Sequence, residues 1–151
     1  MKIICIGKNY LEHAKEMGDI VPEKPILFLK PDSAILPKRN PFYIPNFTNE
    51  VHHEVELIIK IKKLGKCINL NFAKEYYSEI GLGIDFTARD IQRKCKEKGH
   101  PWEIAKAFDQ SAVISDSFID INSLSDINFH LDKNGETVQK SNIKDMIFSN
   151  F

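Results

Sequence analysis

The sequence predicts an α+β domain built on a mixed, mainly antiparallel sheet, and three observations carry that expectation. Apolar runs of strand length outnumber helical stretches, and a single strand runs straight into a helix. In addition, Asn134-Gly135 lies between two short alternating runs, the signature of a tight antiparallel hairpin. A doubly wound parallel sheet would instead alternate strands and helices along the chain.

The elements follow in order. Lys2 to Ile6 reads as a strand stopped by Gly7, and Leu11 to Met17 as a short helix with Leu11 and Ala14 on one face. Ile26 to Leu29 is a second strand, ended by Lys30-Pro31. Pro37, Pro41 and Pro45 recur without either periodicity, so this stretch is an extended surface connection. Val51 to Ile61 is the clearest strand, and Leu64-Gly65-Lys66 turns the chain after it. Asn71 to Tyr77 reads as a helix. Ile80 to Asp85 is a strand feeding a helix from about Ala88 to Lys98, which Gly99 and Pro101 end. Asn128 to Leu131 and Glu136 to Gln139 form the hairpin.

A chain of 151 residues fits one domain spanning residues 1–151 and can bury a core without staples. Lys plus Arg number 21 and Asp plus Glu number 21, so no charge excess draws the protein to nucleic acid or to an anionic membrane. The longest apolar runs are too short to span a bilayer, and Gly7-Lys8-Asn9 interrupts the first before a signal sequence could form. The expected setting is cytoplasmic. Cys5, Cys67 and Cys95 are odd in number and far apart, which reads as reduced, partly buried thiols.

Strand alternation places His52, Glu54, Glu56 and Ile58 on one face and Val51, His53, Val55 and Leu57 on the other. Two carboxylates thus share a face about 7 Å apart along the backbone. On a solvated face they need nothing further; on a buried one a divalent cation is the natural partner. Asp85 stands where a strand meets a helix, a frequent ligand position, although a helix N-cap is equally consistent and Thr87 is the nearer cap. An all-carboxylate set suits magnesium or manganese rather than zinc. His52 and His53 could add a nitrogen, but a histidine beside a strand core is more often a packing residue. His13 and Glu16 are one helical turn apart, as an acid/base pair or a plain exposed face would be. Arg89 and Gln92 share a helix face and could grip a carboxylate, and Lys106 is a cation among apolar neighbours.

In order along the chain, Gly7-Lys8-Asn9-Tyr10 with His13, Phe28-Leu29-Lys30-Pro31, His52-His53-Glu54-Val55-Glu56-Leu57, Gly83-Ile84-Asp85-Phe86-Thr87-Ala88-Arg89-Asp90-Ile91-Gln92, Gly99-His100-Pro101-Trp102 and Lys106-Ala107-Phe108-Asp109 resemble the fumarylacetoacetate hydrolase family. The resemblance is nearest to its small, single-domain members such as acylpyruvate hydrolases. It implies a magnesium or manganese site on Glu54, Glu56 and Asp85. It also implies a His13–Glu16 dyad on a lid, and substrate contacts from Arg89, Gln92 and Lys106. Family members continue past Met146-Ile147-Phe148 through further strands, so the resemblance implies a catalytic domain lacking its last strands. A homodimer is expected by the same resemblance.

The implied chemistry is metal-dependent hydrolysis of a carbon–carbon bond in an acylpyruvate-type 2-oxo acid. His13, steered by Glu16, would activate water, and the metal would stabilise the departing enolate. Decarboxylation of oxaloacetate or isomerisation would use the same enolate, and a metal-binding fragment without turnover is the expectation from another class.

Overall fold

Long-range pairing of two strands, Val51–Ile61 and Tyr77–Ala88, organises the molecule in a computed structural model that describes residues 1–10, 21–123 and 126–148. The described elements are β1 (Ile3–Gly7), β2 (Ile26–Lys30), β3 (Val51–Ile61), β4 (Tyr77–Ala88), α1 (Arg89–Lys98), α2 (Glu103–Lys106), β5 (Ala112–Ile114), β6 (Ile119–Asp120), β7 (Asn128–Lys133) and β8 (Glu136–Asn142). β1 pairs with β2, β3 with β4, and β7 with β8, while β5 and β6 both pair with β4. Each of these pairings is antiparallel, as the α+β expectation requires. The expected helix from Leu11 to Met17 lies outside the described residues. Among those residues no helix is long and apolar enough to cross a membrane.

Local sequence explains most elements. The β7–β8 hairpin turns through Asn134 and Gly135, both at positive φ (54° and 86°), the conformation an Asn-Gly turn accepts at little cost. Helix α1 ends at Gly99 in the left-handed conformation, with its N–H bonded to the carbonyl oxygens of Cys95 and Lys96. The Pro-rich connection is extended and pinned by aromatic contacts. Phe42 stacks on Phe86 with ring centroids 3.8 Å apart, and Phe47 meets Phe108 edge-on at 5.4 Å.

Two expectations need correction. Residues Leu70–Tyr76 form a 3₁₀ segment in place of the helix expected from Asn71 to Tyr77. The Asn69 side chain accepts from the Asn71 N–H, and no residue of the segment is buried, so no apolar face rewards a longer helix. Neither Asp85 nor Thr87 caps α1: its N-cap position is Ala88, without a side-chain cap, and the Arg89 N–H is taken by the Glu50 carbonyl at 2.8 Å.

Asn9 fastens the N-terminal strand to the far end of the chain. Its carbonyl accepts from the Ile147 N–H at 2.8 Å and its Oδ1 from the Phe148 N–H at 2.8 Å. The β8 side chain Gln139 accepts from the Val55 N–H at 2.9 Å, satisfying a donor on the edge of β3.

The β3–β4 register sets Glu54 opposite Asp85 and Glu56 opposite Gly83. A Cβ at Gly83 would lie 2.6 Å from the Val113 carbonyl oxygen and 2.6 Å from Ile58 Cδ1, so only glycine lets β5 approach at this point. Gly83→Ala is therefore expected to destabilise the protein by about 2 kcal/mol in urea denaturation. Because the displaced backbone carries Glu56's cross-strand neighbour, Mn2+ binding should weaken with it.

Candidate metal centre and active site

Seven of the eight buried polar residues among those described gather around one point, Thr48 being the exception. Lys30, Asp85, Thr87, Arg89, Gln92, Lys106 and Ser111 are all buried, beside apolar Phe28, Ala34, Ala105 and Ala112. This inverts the usual preference for polar side chains at the surface, and each buried group accordingly has partners.

Glu54, Glu56 and Asp85 offer carboxylate oxygens that all lie within 4.8 Å of one another. Alternation along β3 puts the two glutamates on one face, and the cross-strand register adds Asp85. Three cations press against them. Lys106 Nζ donates to Glu54 Oε2, to Asp85 Oδ2 at 2.6 Å and to Thr87 Oγ1 at 2.6 Å. Lys30 Nζ lies 2.8 Å from Asp85 Oδ1, and Arg89 Nη2 donates to Glu54 Oε1 while its Nη1 donates to Gln92 Oε1.

The electrostatics fit a divalent cation. Burial, followed by repulsion from Asp85 and Glu54, raises the Glu56 carboxyl from 4.5 to about 8, so the third negative charge is not tolerated without a further cation. Asp85 Oδ1 is buried and makes no hydrogen bond, only the ion-pair contact with Lys30. Three hard oxygen donors, one held protonated and one lacking a hydrogen bond, could hold a divalent cation that prefers oxygen ligands. The nearest thiol does not compete, since burial, with Asp85 next, pushes Cys5 up to about 12 and keeps it protonated. Mn2+ must displace the Glu56 proton, so its affinity is expected to rise about tenfold per pH unit up to pH 8 and then level off, measured by calorimetry.

The two lysines differ. For Lys106, burial lowers the ammonium, but attraction from Asp85 and Glu54 outweighs it and leaves the group raised and charged. For Lys30, burial outweighs the pull of Asp85 and the group is lowered. Lys30 Nζ also donates to the Lys106 carbonyl and, at 3.0 Å each, to the Ser111 carbonyl and Ser111 Oγ. It ties β2 to the segment following α2, whereas Lys106 faces the carboxylates and lies 5.2 Å from the Phe28 ring centroid.

Of the residues singled out in the sequence, Glu54, Glu56, Asp85, Arg89, Gln92 and Lys106 lie around this centre, while His13 and Glu16 lie outside the described residues. His52 Nδ1 accepts from Arg89 Nε at 3.4 Å; His53, on the other face, has a buried Nδ1 without a hydrogen-bond partner. Cys67 is exposed, unlike the partly buried thiols expected. The sequence marked Lys30 only as the end of a strand and Thr87 only as a helix-cap candidate, not as members of this centre. Lys30 shares a strand face with Ile26 and the buried Phe28, so a lysine on an apolar strand face was the available signal.

A model of the fumarylacetoacetate (FAA) hydrolase C-terminal family matches residues 2–151. Oxaloacetate tautomerase FAHD1, mitochondrial, from Mus musculus is 40% identical over 150 residues, which cover 97% of this chain and 67% of that protein. Oxaloacetate tautomerase YcgM from Escherichia coli (strain K12) is 40% identical over 150 residues, covering 97% and 68%. The crystal structure of fumarylpyruvate hydrolase from Pseudomonas aeruginosa in complex with Mn2+ and pyruvate superposes with a TM-score of 0.88 at 35% identity, covering 99% of this chain and 67% of that one. The chain thus spans about two thirds of the length of the relatives it matches. With its motifs, its antiparallel sheet and its carboxylate centre in place, the chain belongs to the fumarylacetoacetate hydrolase family, whose matched members include tautomerases and hydrolases.

Proposed function

We propose that this protein is a Mg2+- or Mn2+-dependent enzyme of small 2-oxo acids, and that it interconverts the keto and enol forms of oxaloacetate. The charge balance of the site carries this reading. Three carboxylates, Glu54, Glu56 and Asp85, meet three cations, Lys30, Arg89 and Lys106, so the two charges of a divalent ion remain uncompensated. A dianion such as oxaloacetate neutralises them, whereas a monoanionic acylpyruvate leaves one. The 40% identity to two oxaloacetate tautomerases supports the same substrate.

A bound Mg2+ or Mn2+ supplies Lewis-acid polarisation of the 2-oxo group, which acidifies the neighbouring C3 protons. Glu54, Glu56 and Asp85 hold it. Lys106, charged and directed at the same centre, stabilises negative charge developing on the 2-oxo oxygen. Arg89 and Gln92, already joined to each other, hold a substrate carboxylate. His13, steered by Glu16, takes a proton from C3 and, as the imidazolium, delivers it to the 2-oxo oxygen to give the enol; the reverse transfers restore the keto form.

A second reading, hydrolysis of an acylpyruvate to pyruvate and a carboxylic acid, is supported by the Pseudomonas aeruginosa hydrolase described with Mn2+ and pyruvate. There His13 and Glu16 would activate water instead. One experiment separates the two. With Mg2+ present, enol absorbance of oxaloacetate and pyruvate release from acetylpyruvate are followed side by side. Acceleration of the enol signal without cleavage supports tautomerisation; cleavage without acceleration overturns it in favour of hydrolysis.

A further inference from the structure

A chain of polar contacts leads outward from Arg89 to the surface. The guanidinium has three attachments: Nη2 to Glu54, Nη1 to Gln92, and Nε to His52 Nδ1 at 3.4 Å. On the far side of the imidazole, His52 Nε2 lies 3.0 Å from Glu50 Oε1. Glu50 in turn receives both terminal nitrogens of Arg93, with Nη1 at 3.0 Å from Oε1. Arg93 lies one helical turn after Arg89 on α1, and the Arg89 N–H is held by the Glu50 carbonyl at 2.8 Å.

Each contact constrains the next. Arg89 Nε is a donor only, so the imidazole must accept at Nδ1 and carry its proton at Nε2. A proton at Nε2 is what the Glu50 carboxylate requires, and the fork of Arg93 fixes that carboxylate. Without a partner at Nε the guanidinium plane could rotate about its last side-chain bond, and the edge offered to Glu54 and the substrate would turn with it.

We propose that His52 is the positioning residue for Arg89, with Glu50 setting its tautomer. It touches neither metal nor substrate and acts through the guanidinium. The inference rests on the reading of Arg89 as a substrate-holding group, and it predicts that His52 controls affinity for a 2-oxo acid far more than affinity for the metal.

The test uses the whole protein with pyruvate as the probe, with calorimetric affinities for Mn2+ and for pyruvate in its presence, and the NMR signal of the Arg89 Nε–H read with diamagnetic Mg2+ in place of Mn2+. His52→Ala should weaken pyruvate binding about tenfold and speed solvent exchange of that proton, with Mn2+ affinity within about twofold of the parent. His52→Asn, whose amide oxygen can replace Nδ1 as acceptor, should restore both. Glu50→Ala, at a half-buried site, should give a smaller change of the same sign. Unchanged pyruvate affinity in His52→Ala, or a lowered melting temperature as its sole effect, overturns the proposal. Fast exchange of the Arg89 Nε–H in the parent overturns it too. If the parent shows a protected Nε–H but binds no pyruvate, the substrate reading of Arg89 fails instead, and the inference falls with it.

Discussion

Glu56→Gln is expected to leave the metal-free protein folded while weakening Mn2+ binding at least about 100-fold and removing metal-dependent turnover. The two outcomes separate because of the raised carboxyl at this position. With a folded-state value of about 8 against 4.5 when unfolded, Glu56 is already neutral at pH 7 in the metal-free protein, and an amide reproduces that state. The sign of the pH effect follows. Between pH 4.5 and pH 8 the folded chain holds a proton that the unfolded chain has released, so stability contributed by this group is complete below 4.5 and is lost as pH rises through 8. The melting temperature of the metal-free parent should therefore fall over that window, and that of Glu56→Gln should fall less. With saturating Mn2+ the order reverses: the parent is stabilised by binding and the variant is not. A Glu56→Gln protein that still gains several degrees with Mn2+ would remove Glu56 from the metal set.

Lys30→Met should cost about 3 kcal/mol of folding stability, among the largest effects of any single change here. Its ammonium is buried against Asp85 and bonds the carbonyls of Lys106 and Ser111 and the Ser111 hydroxyl. A thioether supplies no donor, so those acceptors lose their partner in a site that water does not readily reach. The comparison is Lys60→Met, which breaks an exposed 2.9 Å pair with Glu79 and should change stability by no more than about 0.5 kcal/mol. Urea midpoints for the two variants measure the difference. Equal midpoints would mean that Lys30 is not the tie between β2 and the segment after α2.

The candidate centre is partly legible in the sequence. Period-two alternation is a property of the backbone, so the shared face of Glu54 and Glu56 followed from their spacing once β3 was identified. Arg89 and Gln92 were likewise a turn apart on a helix whose Gly99 stop was readable. The ordered motifs then pointed to the family, and the match over residues 2–151 agrees with them.

Other features depended on contacts that no local pattern encodes. Leu70–Tyr76 satisfied helical spacing, yet none of its residues is buried, and a face that gains so little burial does not sustain an α-helix. Thr87 had the chemistry of a cap, but its hydroxyl is taken by Glu54 and Lys106 across the sheet. By itself, then, the sequence determined six of the eight described strands, all but the short β5 and β6, together with the hairpin turn and the placing of two glutamates on one face, because those depend on backbone periodicity and turn chemistry. Only the tertiary structure decided that Asp85 stands opposite Glu54, that Lys30 and Lys106 converge on them, and that Glu56 holds its proton. These outcomes depend on register, burial and the sum of nearby charges, which exist only once distant segments are packed together.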